Sequence, residues 1–86
     1  MPFHIKYNVT PGQRDNVQQK FKKTGALPPD GVTMKGRWHN VEGSNGFIIA
    51  ETSDIEALGK WIQDWSDSLV FEISTVLTDE QISKVI

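Results

Sequence analysis

Val32-Thr33-Met34-Lys35-Gly36-Arg37-Trp38-His39-Asn40-Val41, then Glu42-Gly43-Ser44-Asn45-Gly46, then Phe47-Ile48-Ile49-Ala50-Glu51-Thr52, read as strand, turn and strand. An Asn-Gly pair between strand-like runs is a strong hairpin signal, because glycine takes the positive φ that closes the turn without steric cost. Gly46 is the expected turn glycine. Ser53-Asp54-Ile55-Glu56 follows with no spacer. A Ser-x-x-Glu box ahead of an apolar run satisfies two orphan N–H groups reciprocally and marks a helix start. The middle of the chain is therefore β-β-α, and the flanks decide which fold contains it.

Upstream, Phe3 to Val9 alternates Phe3, Ile5, Tyr7 and Val9 with His4, Lys6 and Asn8, the period-two pattern of a half-buried strand. Thr10-Pro11-Gly12-Gln13 reads as a second capping box, with Pro11 preset for the first helical turn. The helix it opens runs to about Lys23 and stops at Thr24-Gly25. Its apolar face is narrow, essentially Val17 and Phe21, and is expected to cover the sheet only lightly. Ala26-Leu27-Pro28-Pro29-Asp30-Gly31 is a proline-stiffened loop. Downstream, a helix from about Asp54 to Trp65 spaces Ile55, Leu58, Ile62 and Trp65 on one face with Trp61 beside them, which makes it the main core helix. Val70 to Leu77 is the fourth strand. Thr78-Asp79-Glu80-Gln81 is a third box, with Leu77 and Ile82 placed for a hydrophobic staple, and the apolar end Ile82, Val85, Ile86 is a short docked helix or a partner-binding tail. The order β-α-β-β-α-β plus a short C-terminal helix predicts one α+β domain over residues 1–86. Its expected form is a ferredoxin-like sandwich, a four-stranded antiparallel sheet with two helices on one face.

Composition narrows the function classes. A chain of 86 residues buries roughly 60–65% of the surface it exposes when unfolded, so the core is thin. With no cysteine there is neither a disulfide scaffold nor thiolate chemistry. Nine basic and eleven acidic side chains leave a charge of −2, and no basic block is present to neutralise a phosphate backbone, so nucleic acid is not an expected partner. Lys20, Lys22 and Lys23 complement the negative end of the first helix dipole. Neither a basic-then-apolar leader nor a run of 18 apolar residues is present, so a soluble, cytoplasmic protein with no membrane partner is expected. Phosphate loop, nucleophile elbow, thiolate pair and His-x-His type spacing are all missing; no cofactor and no metal site are expected.

A sheet roofed on one side leaves its other face for water, a ligand or another chain. The first strand leaves His4, Lys6 and Asn8 on that open side, and the fourth leaves Glu72, Ser74 and Val76. In the second strand Val32, Met34, Gly36 and Trp38 share the parity that looks inward, which sends Lys35, Arg37, His39 and Val41 outward. A three-residue hairpin loop with Gly46 as a bulge glycine sets His39 across from Glu51; a two- or four-residue loop sets Trp38 there instead. The candidate ligand- or partner-facing residues are accordingly His4, Arg37, Trp38, His39, Glu51 and Glu72, around Phe47 and Ile49. A carboxylate beside imidazole orients it, and Arg37 has the geometry to hold an anionic oxygen with two parallel hydrogen bonds. The plainer account of the same residues is a strand-surface ion pair or a dimer seam, with Trp38, Trp61 and Trp65 serving as core.

The texts Phe3-His4-Ile5-Lys6-Tyr7, Gly36-Arg37-Trp38-His39, Gly46-Phe47-Ile48-Ile49-Ala50-Glu51-Thr52 and Trp61-x-x-x-Trp65-Ser66-Asp67 together resemble a family of short bacterial and cyanobacterial proteins classed as a domain of unknown function. The resemblance spans nearly the whole chain. Its layout is similar to the dimeric α/β-barrel superfamily, where two ferredoxin-like subunits join open sheet faces and whose members include small monooxygenases, haem-degrading enzymes, muconolactone isomerase-like proteins and stress-response proteins. The resemblance implies a homodimer with a cavity between sheet and helices, and transfers no reaction-specific residues. The leading expectation is a small homodimeric protein that binds a small molecule or partner on its open sheet face. The competing ones are a cofactor-independent enzyme of monooxygenase or isomerase type, with His39 or His4 as acid/base, and a regulatory adaptor that docks through a sheet edge or the Thr78 to Ile86 tail. A pocket of about 300 Å³ or more lined by His39, Arg37 and Trp38 favours ligand binding or catalysis over the adaptor.

Overall fold

The computed structural model describes residues 1–86. Four strands, β1 (Pro2–Val9), β2 (Val32–His39), β3 (Asn45–Thr52) and β4 (Leu69–Thr75), form one antiparallel sheet in the order β2-β3-β1-β4. Two helices, α1 (Arg14–Thr24) and α2 (Ile55–Gln63), pack on one face, and a single turn of helix, α3 (Asp79–Ile82), ends the chain. This is the ferredoxin-like α+β sandwich. No helix is long and apolar enough to cross a membrane.

The inward rows follow the period of two. Phe3, Ile5 and Tyr7 of β1 and Ile48 and Ala50 of β3 are buried and meet Leu58, Trp61 and Trp65 from α2 and the turn after it. Helix α1 contributes no buried residue; Val17 and Phe21 are only partly covered, as its narrow apolar face dictates. Lys20 ties the two helical segments together, with its ammonium 4.3 Å from the Trp65 ring centroid and donating to the Asp64 carbonyl.

Helix starts differ from expectation in two of three cases. Thr10 does not cap α1. Pro11 and Gly12 form a turn, with Gly12 at φ +85° and the Gln13 N–H donating to the Thr10 carbonyl at 2.9 Å, so the helix begins only at Arg14 and Gln13 accepts from Asn16 instead of reaching back. At α2 the cap is Asp54 rather than Ser53, its carboxylate accepting from the Ala57 N–H at 3.0 Å. The third box forms as read, with Thr78 and Gln81 reciprocally bonded. Its staple does not close: Leu77 and Ile82 are both exposed, as are Val85 and Ile86, so the tail is not docked. Gly25 ends α1 in the left-handed conformation, as its sequence position predicts.

The larger correction lies in β2. Val32 and Met34 pair with Thr52 and Ala50, but Gly36, Arg37, Trp38 and His39 pair with Ile49, Ile48, Phe47 and Gly46, which leaves Lys35 as an extra residue. A β-bulge reverses the parity of everything after it. Arg37 and His39 therefore point beneath the helices beside Ile48 and Gly46, and Trp38 points outward beside Phe47, the reverse of the reading from uninterrupted alternation. The hairpin closes between Asn40 and Asn45, whose backbone N–H and C=O bond at 2.8 Å, around a four-residue loop in which Gly43, not Gly46, has positive φ (+83°). Glu51 lies across from Thr33, opposite neither His39 nor Trp38.

Candidate functional site

Parity after the bulge turns Arg37 and His39 into the largely apolar space between sheet and helices, where Tyr7 of β1 already points. A cavity of about 330 Å³ opens there, walled by Phe21 of α1, Trp61 and Ile62 of α2, Trp65, and Phe71 of β4. Its polar members from the sheet are Tyr7, Arg37 and His39.

Tyr7 and His39 sit in one row of the sheet with Gly46 between them, since Gly46 is the cross-strand partner of both. The empty side-chain position lets the Tyr7 ring lie across β3, and its hydroxyl reaches the His39 Nδ1 at 2.6 Å. Phe21 meets the His39 ring edge-on, with centroids 5.4 Å apart. Burial lowers the proton affinity of His39, and the positive charge of Arg37 lowers it further. Burial raises that of Tyr7, partly offset by Arg37. Near neutrality the pair is therefore a neutral phenol hydrogen-bonded to a neutral imidazole, with the imidazole tautomer setting which of the two donates.

Arg37 is half-buried. It donates to the Ala26 carbonyl at 2.7 Å and the Gly25 carbonyl at 3.0 Å, and its guanidinium carbon lies 4.9 Å from the Phe21 ring centroid. The backbone that offers these carbonyls is unusual: Gly25 and Ala26 both have positive φ, +73° and +45°. The left-handed conformation costs a non-glycine residue about 1–2 kcal/mol, which the two charge-assisted bonds from Arg37 offset. Two of the five guanidinium N–H groups are used in this way, and Arg37 has no carboxylate partner. Burial lowers its proton affinity, but guanidinium stays charged.

The six candidates from sequence thus divide between two faces. Arg37 and His39 share the cavity. His4, Trp38, Glu51 and Glu72 lie on the open face, where Phe47 stacks between Trp38 (5.3 Å) and His4 (5.5 Å). There Glu72 is 3.9 Å from Lys6, and Glu51 accepts from the chain's own amino terminus at 2.6 Å. No group of three or more His, Asp or Glu side chains is set to hold a metal ion. Sequence reasoning missed Tyr7, which alternation assigns to the core, and Phe21, Trp61 and Trp65 as cavity walls. The available signal for Tyr7 is chemical: a buried phenol needs a hydrogen-bond partner, and His39 is the one within reach.

Comparison with known proteins adds the family. No curated protein matches the sequence. Among solved structures, an uncharacterized NIPSNAP domain protein from Burkholderia xenovorans is similar, with 8% identity, a TM-score of 0.48, and coverage of 92% of this chain and 97% of that one. The match that spans residues 1–86 is to the family described as domain of unknown function DUF3303, and the chain belongs to it.

Proposed function

We propose that the protein binds a small organic molecule in the cavity between its sheet and helices, and that it acts as a homodimer joined through the open sheet face. The observation that supports the binding site is the combination of about 330 Å³ of space, mostly apolar walls and a convergent Tyr7, His39 and Arg37 cluster. Binding pockets are typically about 300 Å³ or larger, apolar in lining, and carry a few placed polar groups. At the small end of that range, the space suits one ring with a short polar arm. Trp38, expected at this pocket, lies on the other face, and the site is on the roofed side of the sheet rather than the open one.

Support for the dimer comes from the opposite face. Trp38, Phe47 and Val70 are exposed there with Ile49 partly covered, beside charges of both signs in Lys6, Glu51 and Glu72. A thin-cored domain gains stability by covering such a face, and a second copy supplies both an apolar surface and opposite charges across a two-fold axis. A second functional reading, cofactor-independent acid–base catalysis on the bound molecule, is favoured by the Tyr7–His39 hydrogen bond alone.

Amide NMR spectra test the binding site. Trp61 and Trp65 line the cavity and Trp38 does not, so titration with hydrocinnamate or its neutral amide is expected to move the indole N–H signals of Trp61 and Trp65 saturably and leave that of Trp38 in place. Movement of Trp38 alone, or of none, overturns the cavity as the binding site.

A further inference from the structure

We infer that the cavity's ligand is an organic anion, an apolar or aromatic body bearing a carboxylate or enolate oxygen that seats against Arg37. This rests on the cavity being the binding site and adds the chemistry of what it takes. The charge of the lining carries the argument. No Asp or Glu lines the cavity, whereas Arg37 and Lys22 do, in a chain whose net charge is −2. Acidic side chains outnumber basic ones overall, and none has been placed here.

Arg37 is the decisive residue. A cation drawn out of water is costly unless an opposite charge or a full set of acceptors meets it. Two backbone carbonyls and the face of Phe21 satisfy one side of the guanidinium, fixing its plane, and no carboxylate answers its charge. The remaining N–H groups form a fork suited to a planar carboxylate. Tyr7 and His39 add a neutral donor–acceptor pair on the same wall, so they complement an anion's oxygen without adding negative charge that repels it. The walls set the rest of the ligand: Phe21, Trp61, Trp65 and Phe71 exclude water from an apolar body.

Paired probes separate this inference from the binding reading on which it rests. Hydrocinnamate and hydrocinnamamide have nearly the same shape and differ in charge. With the native protein, the Trp61 and Trp65 indole signals are expected to report tighter binding of the carboxylate by about tenfold or more, the size of one charge-assisted contact. Raising the salt concentration is expected to narrow the gap. In Arg37→Gln the preference is expected to fall to near parity while the amide still binds, and Arg37→Lys is expected to retain part of it. Equal affinities in the native protein overturn the anion inference and leave the cavity standing as an apolar site. Binding of neither probe overturns the cavity itself. The native comparison needs no variant, so loss of folding in Arg37→Gln does not blunt the test.

Discussion

The Tyr7 hydroxyl lies 2.6 Å from the Nδ1 of His39 although a whole strand, β3, runs between their backbones. Gly46 makes this possible. It is the one inward position of β3 without a side chain, and a Cβ built there falls 2.5 Å from the Tyr7 ring and 2.4 Å from the Trp38 carbonyl oxygen. What reads in sequence as a turn glycine is in fact a clearance through which a core tyrosine reaches an edge-strand histidine.

Gly46→Ala is therefore expected to destabilise the fold by about 1–3 kcal/mol, the range for overpacking a filled site, and to break the Tyr7–His39 bond. Gly59→Ala is the control. Nothing lies within 4 Å of that Cβ, and alanine in the middle of α2 is expected to be stabilising by about 0.5–1 kcal/mol. Denaturant midpoints of the two variants moving in the same direction contradict this account.

The titration of the pair predicts a stability plateau with two shoulders. The proton affinity of His39 is held below the ordinary imidazole value of 6.5 by burial and then by Arg37. As pH falls through 6.5 the unfolded chain binds the proton first, and stability drops until the folded histidine also titrates. Tyr7 is raised above 10.0 by burial, so as pH rises through 10.0 the unfolded chain loses its proton first and stability drops again. The groups that face the pair are Arg37 from β2 and, on the α1 side, the uncharged Phe21 with Lys22 on the same cavity wall. Denaturant midpoints followed across pH are expected to show the acid shoulder shallower in His39→Gln than in the native protein, and the alkaline shoulder shallower in Tyr7→Phe. Unchanged shoulders in both variants show that the pair does not titrate this way.

Most of the architecture is legible before folding. The order of elements, the parity of β1, β3 and β4, the Gly25 stop and the Thr78 box all follow from local rules, because each depends on residues within a few positions of one another. The site is not legible in that way. Arg37 and His39 face the cavity because of a single extra residue, Lys35, and alternation counted through a bulge inverts every later side chain. Gly36, a glycine inside a strand, is the one local sign of it. The Tyr7–His39 pair depends on a register between strands that no nearby sequence specifies.

Trp61 and His39 both touch the cavity but differ in burial, Trp61 being 8% exposed and His39 open to solvent on one side. Trp61→Ala is expected to cost about 3–5 kcal/mol, as large-to-small core changes do. His39→Ala is expected to cost no more than about 1–2 kcal/mol, since the Tyr7 hydroxyl it abandons can find water at the cavity mouth. Equal losses in urea unfolding show that His39 is structural rather than part of a site.

Trp38 gives the test of the open face. It is 55% exposed, stacks 5.3 Å from Phe47, and folds back over Gly36, where a Cβ falls 2.2 Å from its indole ring. If a second copy covers this face, sedimentation velocity of the native protein is expected to give a dimer, and Trp38→Glu a folded monomer, because two carboxylates brought to one two-fold seam repel and lose water. Gly36→Ala is expected to weaken association without any change of charge, since the indole must leave its place against the sheet. Lys22→Glu, on the helix side, is expected to leave the dimer intact. A native monomer at all concentrations rules the seam out, and dimer loss in Lys22→Glu but not Trp38→Glu moves it to the other face.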